Sequence, residues 1–131
     1  MQLKIYRCLP YLLIYTDDMD ANSNGQANGP VVRIRRGKEG DEGLKQHEIC
    51  HVHQWWRTLG LHSILYLVSK KYRLKAEVEA YREQLKWMGW RSDRLPGYYE
   101  DLYATWLSIP APEGYDCHSI CTKEQALEML S

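Results

Sequence analysis

Apolar and polar residues alternate loosely over residues 2–8 (QLKIYRC), predicting a strand, and a second apolar segment follows at 11–15. The pattern breaks at 19–30 (MDANSNGQANGP), a stretch rich in Asn, Gly and Ala that reads as an exposed loop without core-forming side chains. VVRIRR at 31–36 then turns Val32 and Ile34 to one side and Arg33 and Arg35 to the other, predicting a half-buried strand. The acidic turn GKEGDEG at 37–43 suits the positive end of a helix.

From Leu44 the period becomes helical. Ile49, Val52, Trp56 and Leu59 recur on one face until Gly60 stops the run. A second apolar helix is expected over 61–69 and a charged break or bend at 70–73. A long amphipathic helix follows, carrying Leu74, Val78, Tyr81, Leu85 and Met88 and ending near Gly89. RSDRLPG reads as a loop, and 98–108 as a helix that Pro110 and Pro112 end. Thr122 is placed to cap a last helix, KEQALEML. The expected fold is α+β: one domain over residues 1–131, with a small N-terminal antiparallel sheet followed by four or five helices.

Charge narrows the function classes. Lys plus Arg and Asp plus Glu are 17 each, so the chain has no basic excess and no nucleic-acid partner is expected. Apolar residues are 44% and charged residues 26%, which fits a folded domain rather than a disordered one. Phe is absent while Tyr is 10 and Trp 5, so aromatic packing must use rings that carry a polar handle. The apolar stretch at 9–15 falls short of the ~18 residues of a membrane span. It also lacks a small-residue cleavage site, so no secretory signal is expected. Cys8, Cys50, Cys117 and Cys121 are too few for a disulfide framework, and a reduced, cytoplasmic setting is expected. Cys117 and Cys121 flank His118, but their CxxxC spacing has no second pair to complete a zinc site.

The first long helix contains His47-Glu48-Ile49-Cys50-His51, an HExxH motif. Two histidines at i and i+4 leave one helix face about 6 Å apart and can grip one metal ion through their ring nitrogens. Glu48, about 100° round the helix, can lean over a metal-bound water and take its proton. His53, two residues on, points elsewhere. A third ligand must come from an element packed against this helix. Glu77 and Glu79 are the candidates: Glu77 sits roughly 60° from the centre of the apolar stripe and Glu79 roughly 140° from it, so Glu77 is the inward carboxylate. His62 is a weaker substitute, being too close in sequence to reach the same ion easily.

HExxH on one helix and a glutamate on a following one resembles the gluzincin class of zinc metallopeptidases. Glu77-Val78-Glu79-Ala80 is similar to the ExxA segment holding the third ligand in HtpX-like peptidases, with Glu77 in the ligand place. The small size resembles the minimal soluble members, the minigluzincins. The run from HEICHVHQWW through YRLKAEVEAYREQL is similar to small metallopeptidase-like proteins encoded in bacteriophage genomes. The resemblance implies a zincin-like fold, one Zn2+ per chain held by His47, His51 and Glu77, and Glu48 as general base. Many gluzincins carry an acidic residue four positions after the ligand glutamate, buttressing a histidine. Tyr81 stands there instead, so that support must come from elsewhere or Tyr81 has another role.

Zinc-dependent hydrolysis of a peptide or protein substrate is therefore the expected activity. Tyr81, one turn after Glu77, is a candidate for stabilising the oxyanion, with Tyr66 and Tyr72 further candidates. Val32, Arg33 and Ile34 are expected to bind an extended substrate as an edge strand, with Arg33, Arg35 and Arg36 favouring acidic sequences. Trp55, Trp56 and Trp87 are expected to pack rather than form a carbohydrate platform. Cys50 reads as a small helix-face residue, and a cysteine switch is an alternative for Cys8 or Cys117. The rival expectation is a non-catalytic zinc protein, structural or for assembly, such as a phage virion component in contact with other virion proteins. A third reading has no metal at all, with the helices forming a protein-interaction surface.

Overall fold

A computed structural model describes residues 2–6, 9–88, 97–110 and 114–131, apart from the side chains of Tyr6 and Met88. The expected helix stop at Gly89, most of the RSDRLPG loop, Pro112 and Cys8 lie outside the described residues. Among the described residues, four strands, β1 (Gln2–Tyr6), β2 (Leu9–Tyr15), β3 (Gly25–Asn28) and β4 (Val31–Ile34), precede five helices. The helices are α1 (Glu42–Arg57), α2 (His62–Val68), α3 (Lys70–Met88), α4 (Tyr98–Leu107) and α5 (Lys123–Leu130). The arrangement is α+β.

The sheet order is β1-β2-β4-β3, and the sheet is mixed rather than antiparallel. β1 pairs with β2 and β3 with β4 in antiparallel fashion, but β2 and β4 run parallel, with Leu13 opposite Val32 and Tyr15 opposite Ile34. A parallel pair needs a long crossover. The segment between β2 and β4 provides it and places β3 along the way, inside the stretch expected to be wholly loop. β3 (GQAN) has no branched apolar side chain, so periodicity cannot reveal it; it is held by its ladder to β4. A further backbone bond runs from Arg35 N–H to the Asn24 carbonyl at 2.9 Å.

Asp41 caps α1 through a bond from Leu44 N–H at 3.0 Å. Gly60, at φ 88, ends the turn after α1 against the face of Trp55. The expected bend at 70–73 is displaced to Ser69, whose extended backbone separates α2 from α3; the lysines that follow are good helix formers and open α3. Thr122 and Gln125 form a reciprocal cap at the start of α5.

Two hydrophobic clusters form. Tyr11, Leu13, Val32 and Ile34 of the sheet pack on Ile49 and Val52 of α1. Leu74 and Tyr81 of α3 pack with Tyr103, Leu107, Cys117, Cys121 and Leu130. α1, from the first cluster, packs against α3, from the second. Among the described residues, Cys50, Cys117 and Cys121 are free and buried, and Cys117 and Cys121 serve as small core residues. Trp56 reaches across to donate to the Pro10 carbonyl at 2.9 Å.

Ile34 is wholly buried between the sheet and α1. Ile34→Ala should therefore cost about 2–5 kcal/mol, read as a lower urea midpoint with an unchanged slope.

Candidate metal centre

The face-to-face contact of α1 with α3 brings three donor side chains into one buried group: His47 and His51 from α1 and Glu77 from α3. Glu77 is 2% exposed. The two Nε2 atoms lie 3.2 Å apart. Each also lies 3.2 Å from a carboxylate oxygen, His47 from Glu77 Oε2 and His51 from Oε1. Donors bound tetrahedrally at zinc-like lengths of 2.0–2.1 Å stand about 3.3 Å from one another, so these spacings match the edges of such a site.

Hydrogen bonding sharpens the point. Gln54 Oε1 lies 2.8 Å from His51 Nδ1, and Gln54 Nε2 donates to the Ala76 carbonyl of α3 at 2.9 Å. With its amide nitrogen so engaged, Gln54 accepts the Nδ1 proton and leaves the His51 Nε2 lone pair facing Glu77. Glu77 Oε2 and His47 Nδ1 are buried without a hydrogen-bond partner. Lone pairs converging at this distance require a proton or a cation between them. The residues present fit a metal ion.

Without metal, protons substitute. Burial lowers the His51 pKa, but the Glu77 carboxylate beside it outweighs this and raises it to about 9. Burial acts to raise the Glu77 pKa, yet His51 and His47 together hold its carboxyl well below the usual carboxylate range. Glu77 also accepts a bond from the Tyr66 hydroxyl at 2.6 Å. Burial, with Glu77 adjacent, raises the Tyr66 phenol, so it stays protonated and donates.

Glu48 is buried on the same face of α1 and shares two cavities with His47. Burial pushes its pKa up, while His47 and His51 pull it back. Gly25 of β3 makes this approach feasible. A Cβ there would stand 3.1 Å from Glu48 Oε1 and 3.0 Å from Leu44 Cδ1, closer than side chains normally allow. The smaller cavity, about 490 Å³, opens over the cluster between β3 and α2. The larger, about 810 Å³, runs from Glu48 towards Tyr81, Tyr103 and Trp106. No lysine or arginine lines either cavity among the described residues.

The other expected site residues take different places. Glu79 points away, half-exposed, and pairs with Arg57 at 3.1 Å. His62 lies outside the triangle but in the wall of the smaller cavity, with Nδ1 2.8 Å from the Tyr72 hydroxyl. Burial, then the neighbouring His51, lowers its pKa to about 4, so it is neutral. Tyr81 packs its ring on His47, with centroids 4.5 Å apart, and stacks on Tyr103. Its hydroxyl bonds that of Tyr115 at 2.5 Å rather than reaching the cluster. The support for His51 comes from Gln54, three residues on and legible as i+3 spacing; Tyr115, from a distant loop, left no such signal.

Val32, Arg33 and Ile34 do not form a substrate edge. β4 lies between β2 and β3, so both its edges are paired, and Val32 and Ile34 are core. The edge strand at the cavity is β3. Arg35 instead binds the Asp20 and Ser23 carbonyls, clamping the 20–23 turn at the cavity rim.

Set against known protein families, curated proteins and solved structures, the chain matches none.

Two measurements follow. Gln54→Ala should weaken divalent-metal affinity about 10–100-fold in a chelator competition, since His51 loses its orienting partner. In chelator, the stability from the raised His51 pKa is complete below 6.5 and is lost as pH rises through about 9. The chelated protein should thus unfold at lower urea at pH 9 than at pH 6.5, and added metal should abolish most of that decline.

Proposed function

We propose that the protein is a zinc-dependent peptidase, with His47, His51 and Glu77 as the metal ligands. The observation that carries this reading is the placement of the buried Glu48 carboxyl beside an imidazole–carboxylate triangle, in a cavity bordered by the outer edge of β3, which pairs with no further strand among the described residues. A donor set of two imidazoles and one carboxylate, without a fourth His, Cys or acidic ligand among the described residues, favours zinc with an open position. Zinc held there would supply Lewis-acid polarisation of a carbonyl and acidify water.

The chain's own residues supply the rest. Glu48 takes the proton of the attacking water and passes it to the leaving amine nitrogen, a role its burial suits by bringing its pKa towards the working range. Tyr66 fixes the Glu77 carboxylate by donating to Oε1. The free edge of β3 offers backbone donors and acceptors to an extended peptide. Apart from the metal ligands, Asp20 and Glu48 border the smaller cavity and no lysine or arginine does so among the described residues, so the substrate is a neutral or basic peptide segment rather than an acidic one.

Purified protein should carry about one zinc per chain, and His47→Ala should lose it. Glu48→Gln should retain zinc while peptide turnover falls by about 10²–10⁴-fold. Wild-type turnover by Glu48→Gln would overturn the assigned role of Glu48. One zinc per chain with no cleavage across a peptide library would instead favour a structural zinc protein.

A further inference from the structure

The short helix α2 carries its apolar side outward. On a helical wheel Leu61, Ile64, Leu67 and Val68 fall within one sector of about 120°. His62 and Tyr66 occupy the other side, against the metal cluster, and His62 is the only buried residue of the helix. Leu67 is 74% exposed and Val68 75%. Just before the helix, Leu59 is 91% exposed and held at φ 54, a left-handed conformation that leucine rarely adopts. Single exposed leucines are ordinary. Five exposed aliphatic side chains within ten residues of sequence, one of them at a strained backbone position, mark a surface built to be covered.

Charge indicates what covers it. Between Glu48 and Glu77 the chain has no acidic residue but five cations, Arg57, Lys70, Lys71, Arg73 and Lys75, although its net charge is zero. Arg57 and Lys70 have acidic partners, Glu79 and Asp116. Arg73 forms no ion pair among the described residues: it donates to the carbonyls of Tyr66, Leu67 and Tyr115 and lies 5.4 Å over the Tyr66 ring, and so holds its charge at the C-terminal end of α2. Lys71 is exposed on α3 three residues after Val68, with Lys75 one turn on, and neither forms an ion pair among the described residues. A second copy seated face to face would bring these unpaired cations together. A protein interface of this kind would also be richer in aromatic side chains at its centre. Protruding aliphatic groups flanked by cations complement a surface that is apolar beneath and anionic at its rim.

We propose that Leu59 and the outer face of α2 dock the protein onto an anionic lipid bilayer surface. Docking is peripheral in this proposal, and among the described residues no helix is long and apolar enough to cross a membrane. Because Ser63, Tyr66 and Leu67 of α2 wall the smaller cavity, docking sets that cavity at the headgroups. The proposal does not depend on peptidase activity.

The test is flotation of the full chain with vesicles of phosphatidylcholine, alone or with about one third phosphatidylglycerol. Binding to the anionic vesicles is expected, at least about tenfold weaker to the neutral ones and weakened by salt. Ile64→Ser/Val68→Ser, at two exposed positions, should reduce anionic-vesicle binding about tenfold or more while circular dichroism stays that of wild type. Lys71→Glu/Lys75→Glu should remove the preference for anionic vesicles. Absence of binding at low salt, or wild-type binding by Ile64→Ser/Val68→Ser, overturns the proposal. So does a concentration-dependent dimer that the same double variant abolishes, because a second copy would then cover the face.

Discussion

A carboxylate that is all but inaccessible to water sits between the two longest helices, and its burial constrains everything around it. An isolated ion there would be costly enough to protonate or unfold the site. Glu77 stays ionised because two imidazoles and the Tyr66 hydroxyl converge on it. Those partners are in turn fixed from outside: His51 by Gln54, whose amide is tied to the α3 backbone, and His47 by its packing against the Tyr81 ring. α2 is anchored by Arg73 on its terminal carbonyls and by the His62–Tyr72 contact, which keeps Tyr66 in reach. The polar cluster thereby specifies how α1, α2 and α3 meet, a task that apolar contacts alone define less sharply.

The position of the cluster follows from the division of the core. One apolar cluster joins the sheet to α1 and the other gathers α3, α4 and α5, and the donors lie where α1 of the first packs on α3 of the second. β3 closes the arrangement on the other side of Glu48. It can come so close only because position 25 has no Cβ, and the cavities flanking Glu48 and His47 are the space left between β3, α2 and the aromatic residues of the second cluster. The acidic lining of this space follows from the same placement, since Arg35 spends its guanidinium on the 20–23 turn and Arg57 on Glu79.

α2 shows a conflict between local and global demands. A short apolar segment next to a polar site would ordinarily bury its leucines. Here the inner side of the helix is reserved for His62 and Tyr66, so the aliphatic side faces outward. The proposed bilayer docking would give that outer side an occupant of its own.

Spacing within single elements was sufficient to place α1 through α5, and to set His47 and His51 on one face of α1 with Glu48 about 100° round from His47. It also separated Glu77 from Glu79, because a helical wheel depends only on the 100° step per residue. What needed the folded chain was whatever depends on partners remote in sequence. β3 exists through its ladder to β4, not through its own side chains; the parallel β2–β4 pairing placed β4 inside the sheet and removed Val32, Arg33 and Ile34 from any substrate edge. Tyr66, expected only as an oxyanion candidate, became a partner of Glu77 through the packing of α2 beside α3, and Tyr115 reached the site from a loop that carries no periodic signal. Donor positions along α1 and α3 were thus legible in the sequence, since backbone geometry repeats them at fixed angles. The triangle they form and the open edge beside it were decided by tertiary packing, since only packing sets the distance between two helices and the neighbours of a strand.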